Sequence, residues 1–221
     1  MNETHRLVAQ DVADRIRGRI LSGQLRPGER IKQEAIAREC GTSRIPVRDA
    51  LTRLNNEGLV SLSSYAGARV ATLSAAELNE IYLLRERLEP TALAASVPRL
   101  SEETCQSLEE CAMEMEHAAD PESPSRWVEL DRRFHLTSYG SAPLPEFLRL
   151  IDGLWNRTQQ YRRAYTRLPE SLERAHSEHK LLLAAIREGD SAQAEAISAM
   201  HIRRTRLALR DNFTSFHWTT T

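Results

Sequence analysis

The sequence predicts a mostly α-helical protein in two parts: a winged helix-turn-helix at the N-terminus and an all-helical bundle behind it. Three observations carry that prediction. The first 72 residues hold three short helical patterns broken at glycines, then two β-prone pieces. From about position 76 to 212 nearly every segment has helical periodicity. Prolines and glycines punctuate that second stretch, at Pro98, Pro121 and Pro124, Gly140 and Pro143, Pro169 and Gly189.

The elements follow in order. Residues 7–21 form the first predicted helix, with Val8, Val12, Ile16 and Ile20 recurring every four residues on one face. The stretch "SGQLRPGER" breaks it with Gly23, Pro27 and Gly28. "IKQEAIAREC" is a short second helix with Ile36 and Cys40 inward, and Gly41 turns the chain. Ser43 is placed to cap a third helix over 44–57, which Gly58 ends. The pieces flanking "SSYAG" make a small hairpin. Beyond it, helices are expected at roughly 76–96, 101–119, 125–139, 144–165, 170–188 and 190–212, with Ser101 starting the second of these. Six helices of that length make one bundle of about 140 residues. The expected domains are residues 1–74 and 75–215, with a patternless tail at 216–221.

Composition narrows the classes. The chain has 221 residues, 41% of them hydrophobic, enough for two small cores. No apolar run approaches the ~18 residues of a membrane span. The start, "MNETHRLVAQDVADRI", lacks the apolar stretch of a secretory signal. Cys40, Cys105 and Cys111 are too few and too scattered for a disulfide framework or a thiolate metal cluster. A cytoplasmic setting is expected, with no membrane partner. Net charge is −1, but residues 1–72 carry 12 Lys/Arg against 8 Asp/Glu, while 73–221 carry 18 against 23. That split has the sign of a DNA-binding head on an acidic body.

The third helix holds the first functional candidates. Arg44 and Arg48 are four apart and share a face, away from the apolar face of Val47, Leu51 and Leu54. Pro46 sits in the first turn, where its missing N–H costs nothing. A helix entering the major groove by its N-terminus needs this arrangement, and arginine suits both guanine edges and phosphate. The competing reading is an ordinary solvated charged face. The ordered run of short helix, glycine turn, capped helix and hairpin favours DNA. Arg53 and Lys32 are weaker phosphate candidates, and Gly67 at the hairpin tip serves either a close approach to DNA or a plain turn.

The bundle holds the second set. "VELDRRFHLTSYGS" places Asp131 and His135 four apart on the more apolar face of a helix. His179 shares a stripe with Leu182, Leu183 and Ile186, and His201 lies near that of Ile197 and Leu209. Four ligands from three helices can converge on one cation. The competing reading is a set of satisfied core histidines. His176 can compete with His179, while His5, His117 and His217 read as surface. Glu178 adjoins His179 but is expected to point about 100° away around the helix. An Asp/His₃ site with an open position could activate water. No general-base motif accompanies it, so an enzyme is not expected.

The stretch "GERIKQEAIARECGTSRIPVRDALTRLNNEGLVSLSSYAGARVA" resembles the DNA-binding domain of the GntR family of bacterial transcription regulators, through "PGERI", "AIAREC", "SRIPVRDAL", "RLNNEGLV" and "GARV". Asp49 replaces the commoner glutamate, and Lys32-Gln33 stands where many members have a small residue. The resemblance implies that Ser43, Arg44, Pro46 and Arg48 sit at double-stranded operator DNA, with the hairpin around Gly67 near the minor groove. "IYLLRERLEPTALAA", "ELDRRFHLTSYGSAP" and "EHKLLLAAIREGDSAQAEAISAMHI" resemble the FCD-type effector domain of one branch of that family. It implies a helical bundle around a cavity and a divalent ion, zinc or nickel, on Asp131, His135, His179 and His201. It also implies a small carboxylate-bearing effector near Arg85, for which a surface Arg85–Glu89 pair is the competing reading. A ligand-responsive homodimeric repressor is the expected function. A regulator whose metal is structural, or is itself the signal, is the alternative.

Overall fold

The computed structural model describes residues 3–63, 65–120 and 124–215. The expected tail at 216–221, with His217, lies outside the described residues, as does Pro121. The chain divides into two compact units between Leu73 and Ser74. Ser74 goes with the second unit because it caps the helix that follows. Its hydroxyl accepts the Glu77 N–H at 3.2 Å, and the Glu77 carboxylate accepts the Ser74 N–H at 2.8 Å.

The first unit runs α1 (Glu3–Leu21), β1 (Arg30–Ile31), α2 (Gln33–Glu39), α3 (Arg44–Asn56), β2 (Val60–Ser63) and β3 (Gly67–Val70). The four-residue stripe of α1 buries Val12, Ile16 and Ile20 against Val47, Leu51 and Leu54 of α3, with Ile36 of α2 closing the core. Between α2 and α3 the chain reverses at Gly41, whose φ of +62° lies in the left-handed region that favours glycine. The Thr42 N–H then bonds the Ala37 carbonyl at 2.9 Å, satisfying the end of α2. Strands β2 and β3 form the expected hairpin, in register Val60↔Val70 to Ser63↔Gly67. A third strand, β1, pairs antiparallel on the other side of β3 and was not expected. Two residues are too short to show an alternation period. Leu54 is fully buried in this small core. Leu54→Ala is therefore expected to cost about 2–5 kcal/mol, read as a lower urea midpoint. An unchanged midpoint would contradict the packing described.

Among the described residues the second unit has six α-helices: α4 (Ala75–Ser96), α5 (Glu102–His117), α6 (Ser125–Tyr139), α7 (Pro145–Tyr165), α8 (Ser171–Arg187) and α9 (Ser191–Asp211). Ser101 caps α5 by accepting the Thr104 N–H at 3.1 Å, and Asp190 caps α9 by accepting the Gln193 N–H at 2.9 Å. Pro90 lies inside α4 without ending it. The core gathers Trp127, Val128, Leu130, Phe134 and Tyr139 of α6 with Ile151 and Trp155 of α7 and Leu182 of α8. Among the described residues no helix is long and apolar enough to cross a membrane.

Candidate functional site

Three helices bring four candidate ligands together in the second unit. Asp131 and His135 lie one turn apart on α6, His179 is on α8 and His201 on α9. All four are buried, none more than 2% exposed. One ligand atom from each lies within 4.8 Å of the others. The Nε2 atoms of His135 and His179 are 3.1 Å apart. Asp131 Oδ1 lies 3.7 Å from the first and 3.4 Å from the second.

The outer contacts settle which ring nitrogens face inward. Burial and the Glu89 carboxylate push the Tyr139 phenol well above its ordinary value, so it stays protonated and donates to Glu89 Oε2 at 2.9 Å. The Tyr139 oxygen can then accept the His135 Nδ1–H at 3.1 Å, leaving a lone pair on His135 Nε2. On His201, Nδ1 lies 2.7 Å from Glu178 Oε2. A carboxylate can only accept there, so His201 Nδ1 carries a proton and Nε2 is the nitrogen left to ligate. That atom is buried and takes no hydrogen bond, nor does Asp131 Oδ1. Burial holds the His135 and His179 imidazoles well below their ordinary value, in the neutral form that ligates a metal. Imidazole nitrogens and a carboxylate oxygen this close together, once free of protons, would offer their lone pairs to one cation. The residues present fit a divalent ion.

Two buried arginines surround the group. Arg162 of α7 forms an ion pair with Asp131. Burial pushes the Asp131 carboxyl up, and the Arg162 guanidinium pulls it back. Arg85 of α4 pairs with Glu89 at 2.5 Å, donates to Thr158 Oγ1 at 3.2 Å and stacks 4.0 Å from the Trp155 ring. The i,i+4 pair read as a surface feature is therefore real but buried, both residues being at most 1% exposed. Glu178, next to His179 in sequence, reaches His201 on α9 instead. It accepts from His201 and Arg204, and those contacts outweigh burial and hold its carboxyl below the ordinary value. Its direction is set by α9 crossing α8, which no single-helix projection contains. Neither Arg162 nor Tyr139 carried a signal in the sequence.

The other described histidines lie elsewhere. His176 pairs with Glu116 at 3.1 Å, and His117 donates from Nδ1 to the Met113 carbonyl at 2.8 Å. His5, expected at the surface, is part-buried, 2.8 Å from Asp49.

In the first unit, α3 presents Arg44, Ile45 and Arg48 to solvent and turns Val47, Leu51 and Leu54 inward. Ser43 occupies the N-cap position, but its side chain makes no capping bond and stays exposed. Pro46 is buried, so its part at this helix is to shape the first turn rather than to offer a contact surface. Arg44 pairs with Glu34 at 3.0 Å across the turn. Arg53 donates to Gln10 at 2.5 Å, which ties it to α1, while Lys32 is exposed before α2. Gly67 has φ of +72°, so the turn by itself favours glycine there. Register sets Arg30 directly opposite Arg69, both exposed. Like charges opposed in a ladder cost stability, an arrangement suited to a surface that meets phosphate.

A winged helix-turn-helix with arginines on the exposed first turn of its third helix, joined to a helical unit with a buried Asp/His₃ group, defines a DNA-binding transcriptional regulator. Two family descriptions match the chain: "Bacterial regulatory proteins, gntR family" over residues 8–70 and "FCD domain" over residues 80–204. The protein belongs to the GntR family, in the branch that carries an FCD domain. Its relatives include the Nta operon transcriptional regulator of Aminobacter aminovorans, 26% identical over 83% of this chain and 86% of that one. Another is the regulator McbR of Escherichia coli, 27% identical over 84% and 85%. A third is the repressor GlaR of E. coli, 24% identical over 83% and 87%. The solved structure of E. coli McbR superposes with a TM-score of 0.82 at 24% identity, covering 93% of this chain and 98% of that one, and shares the fold. These relatives are transcriptional regulators, not enzymes.

Proposed function

We propose that this regulator is a repressor that grips operator DNA through Arg44 and Arg48. A small carboxylate-bearing effector, bound beside a divalent ion on Asp131, His135, His179 and His201, releases it. The observation that carries this reading is the buried ligand group itself, with the unpartnered His201 Nε2 facing it and two guanidiniums, Arg85 and Arg162, at its edge. The Tyr82 hydroxyl and Trp155 Nε1 are also buried without a hydrogen-bond partner among the described residues. They supply donors for an acid that has one carboxylate on the ion. Such an effector acts only if it prefers one of two states of the regulator. The test is titration of the preformed operator complex with a panel of small mono- and dicarboxylic acids. At least one acid is expected to release DNA from metal-loaded protein and not from stripped protein.

A second reading, in which the ion is purely structural, is favoured by how closed the site is. If the ion raises thermal stability and no acid moves DNA binding, the second reading holds and the first is wrong. DNA binding that tracks free metal would instead make the ion the signal.

Operator recognition of this kind pairs two heads about a two-fold axis. Sedimentation at micromolar protein without DNA is therefore expected to give twice the chain mass of 25.1 kDa. A monomer at one half-site would contradict it.

A further inference from the structure

Ile45 is the second residue of α3 and is 65% exposed. Single exposed apolar side chains are common on soluble proteins and need no explanation by themselves. The placement of this one is informative. It is flanked on the helix surface by Arg48, three residues on, and adjoins Arg44, so the three make one exposed patch on the first turn. Pro46 and Val47, the next two residues, are buried, so the patch faces away from the core. A polar side chain there would serve solubility and would leave the packing untouched.

The edges of base pairs in the major groove are polar except at one feature, the C5 methyl of thymine, shared chemically by 5-methylcytosine. An isoleucine on a helix holds essentially one χ1 rotamer, so its methyl groups arrive already oriented. We infer that Ile45 is a specificity-determining residue that packs on a pyrimidine C5 methyl, beside the groups contacted by Arg44 and Arg48. The inference rests on α3 being the helix that enters the groove. The two arginines supply affinity and polar readout, and Ile45 adds preference for a methylated pyrimidine at one position of each half-site.

The test uses the full chain and an operator selected from random duplexes. Each thymidine is replaced singly by deoxyuridine, which removes only the methyl. For the wild type, one position per half-site is expected to weaken binding about 3- to 5-fold, the effect of one buried methyl. That penalty is expected to vanish in Ile45→Ala, whose fold should survive because the side chain is mostly exposed. At the same position, 5-methylcytosine paired with guanine should bind more tightly than cytosine in the wild type and equally in Ile45→Ala. A deoxyuridine profile unchanged by Ile45→Ala overturns the inference. If Arg44→Ala/Arg48→Ala also leaves the operator affinity unchanged, the placement of α3 fails with it. Loss in the arginine variant alone confines the failure to Ile45.

Discussion

Protein purified without chelator is expected to hold about one divalent ion per chain, and His179→Ala to hold none after desalting. His179 and His135 approach each other at 3.1 Å through nitrogens that have no other use in the core. Removing either leaves two imidazoles and a carboxylate in a cavity where the ion would need a replacement ligand. His117→Ala is the control. That residue bonds a carbonyl of its own helix, so the variant should retain the ion. Glu178→Gln tests the outer contact. It keeps an acceptor near His201 Nδ1 but removes the charge, and is expected to weaken retention about 10- to 100-fold. Because an ion binds the folded chain preferentially, stripping should lower the melting temperature.

The pH dependence has a definite sign. Burial favours neutral His135 and His179, so the folded stripped protein binds fewer protons there than the unfolded chain does. Stability from this source is unaffected above about 6.5, the ordinary imidazole value, and falls as pH drops below it. Elemental analysis after adding stoichiometric Zn²⁺ checks the ion. If wild type retains none, or His179→Ala retains as much, the histidines are core packing and nothing more.

Arg44→Ala/Arg48→Ala is expected to abolish discrimination between operator and random DNA at fixed salt, with each substitution costing about 1–3 kcal/mol if it reads a base. The two are unequal. Arg44 must first leave Glu34, an exposed pair worth roughly 0–1 kcal/mol. Arg48 has no ion-pair partner among the described residues and is expected to lose more. Glu34→Ala should bind DNA slightly more tightly, since it frees Arg44 and removes a negative charge near phosphate. The side chains share a face, so the double variant need not equal the sum. Equal affinity and equal specificity in both single variants would remove α3 from the interface.

The fold was largely legible, because its elements announce themselves locally. A four-residue stripe builds α1, Gly41 and Gly58 bound α3, and prolines or glycines separate the bundle helices. What escaped depends on contacts between elements. β1 exists only because β3 lies beside it. The buried partners Glu89, Arg162 and Glu178 look like surface charges in the sequence, and only the crossing of α4, α7, α8 and α9 takes them out of water. The four ligand candidates were easier to find, since histidine on an apolar helical stripe is conspicuous. Their mutual distances, and the protonation of each ring, belong to the assembled bundle. Ser43 shows the opposite error: a residue type suited to capping stands in the capping position and makes no capping bond.

The depth of the four-residue group has a kinetic meaning. With every candidate ligand at most 2% exposed, an ion or an effector would reach the group only when the surrounding side chains or helices move. Exchange would then be clocked by transient opening of the bundle, at a rate that stays the same however much chelator is outside. Occupancy of such a site would record the metal supply at the time the chain folded, and a later change in that supply would be felt only slowly.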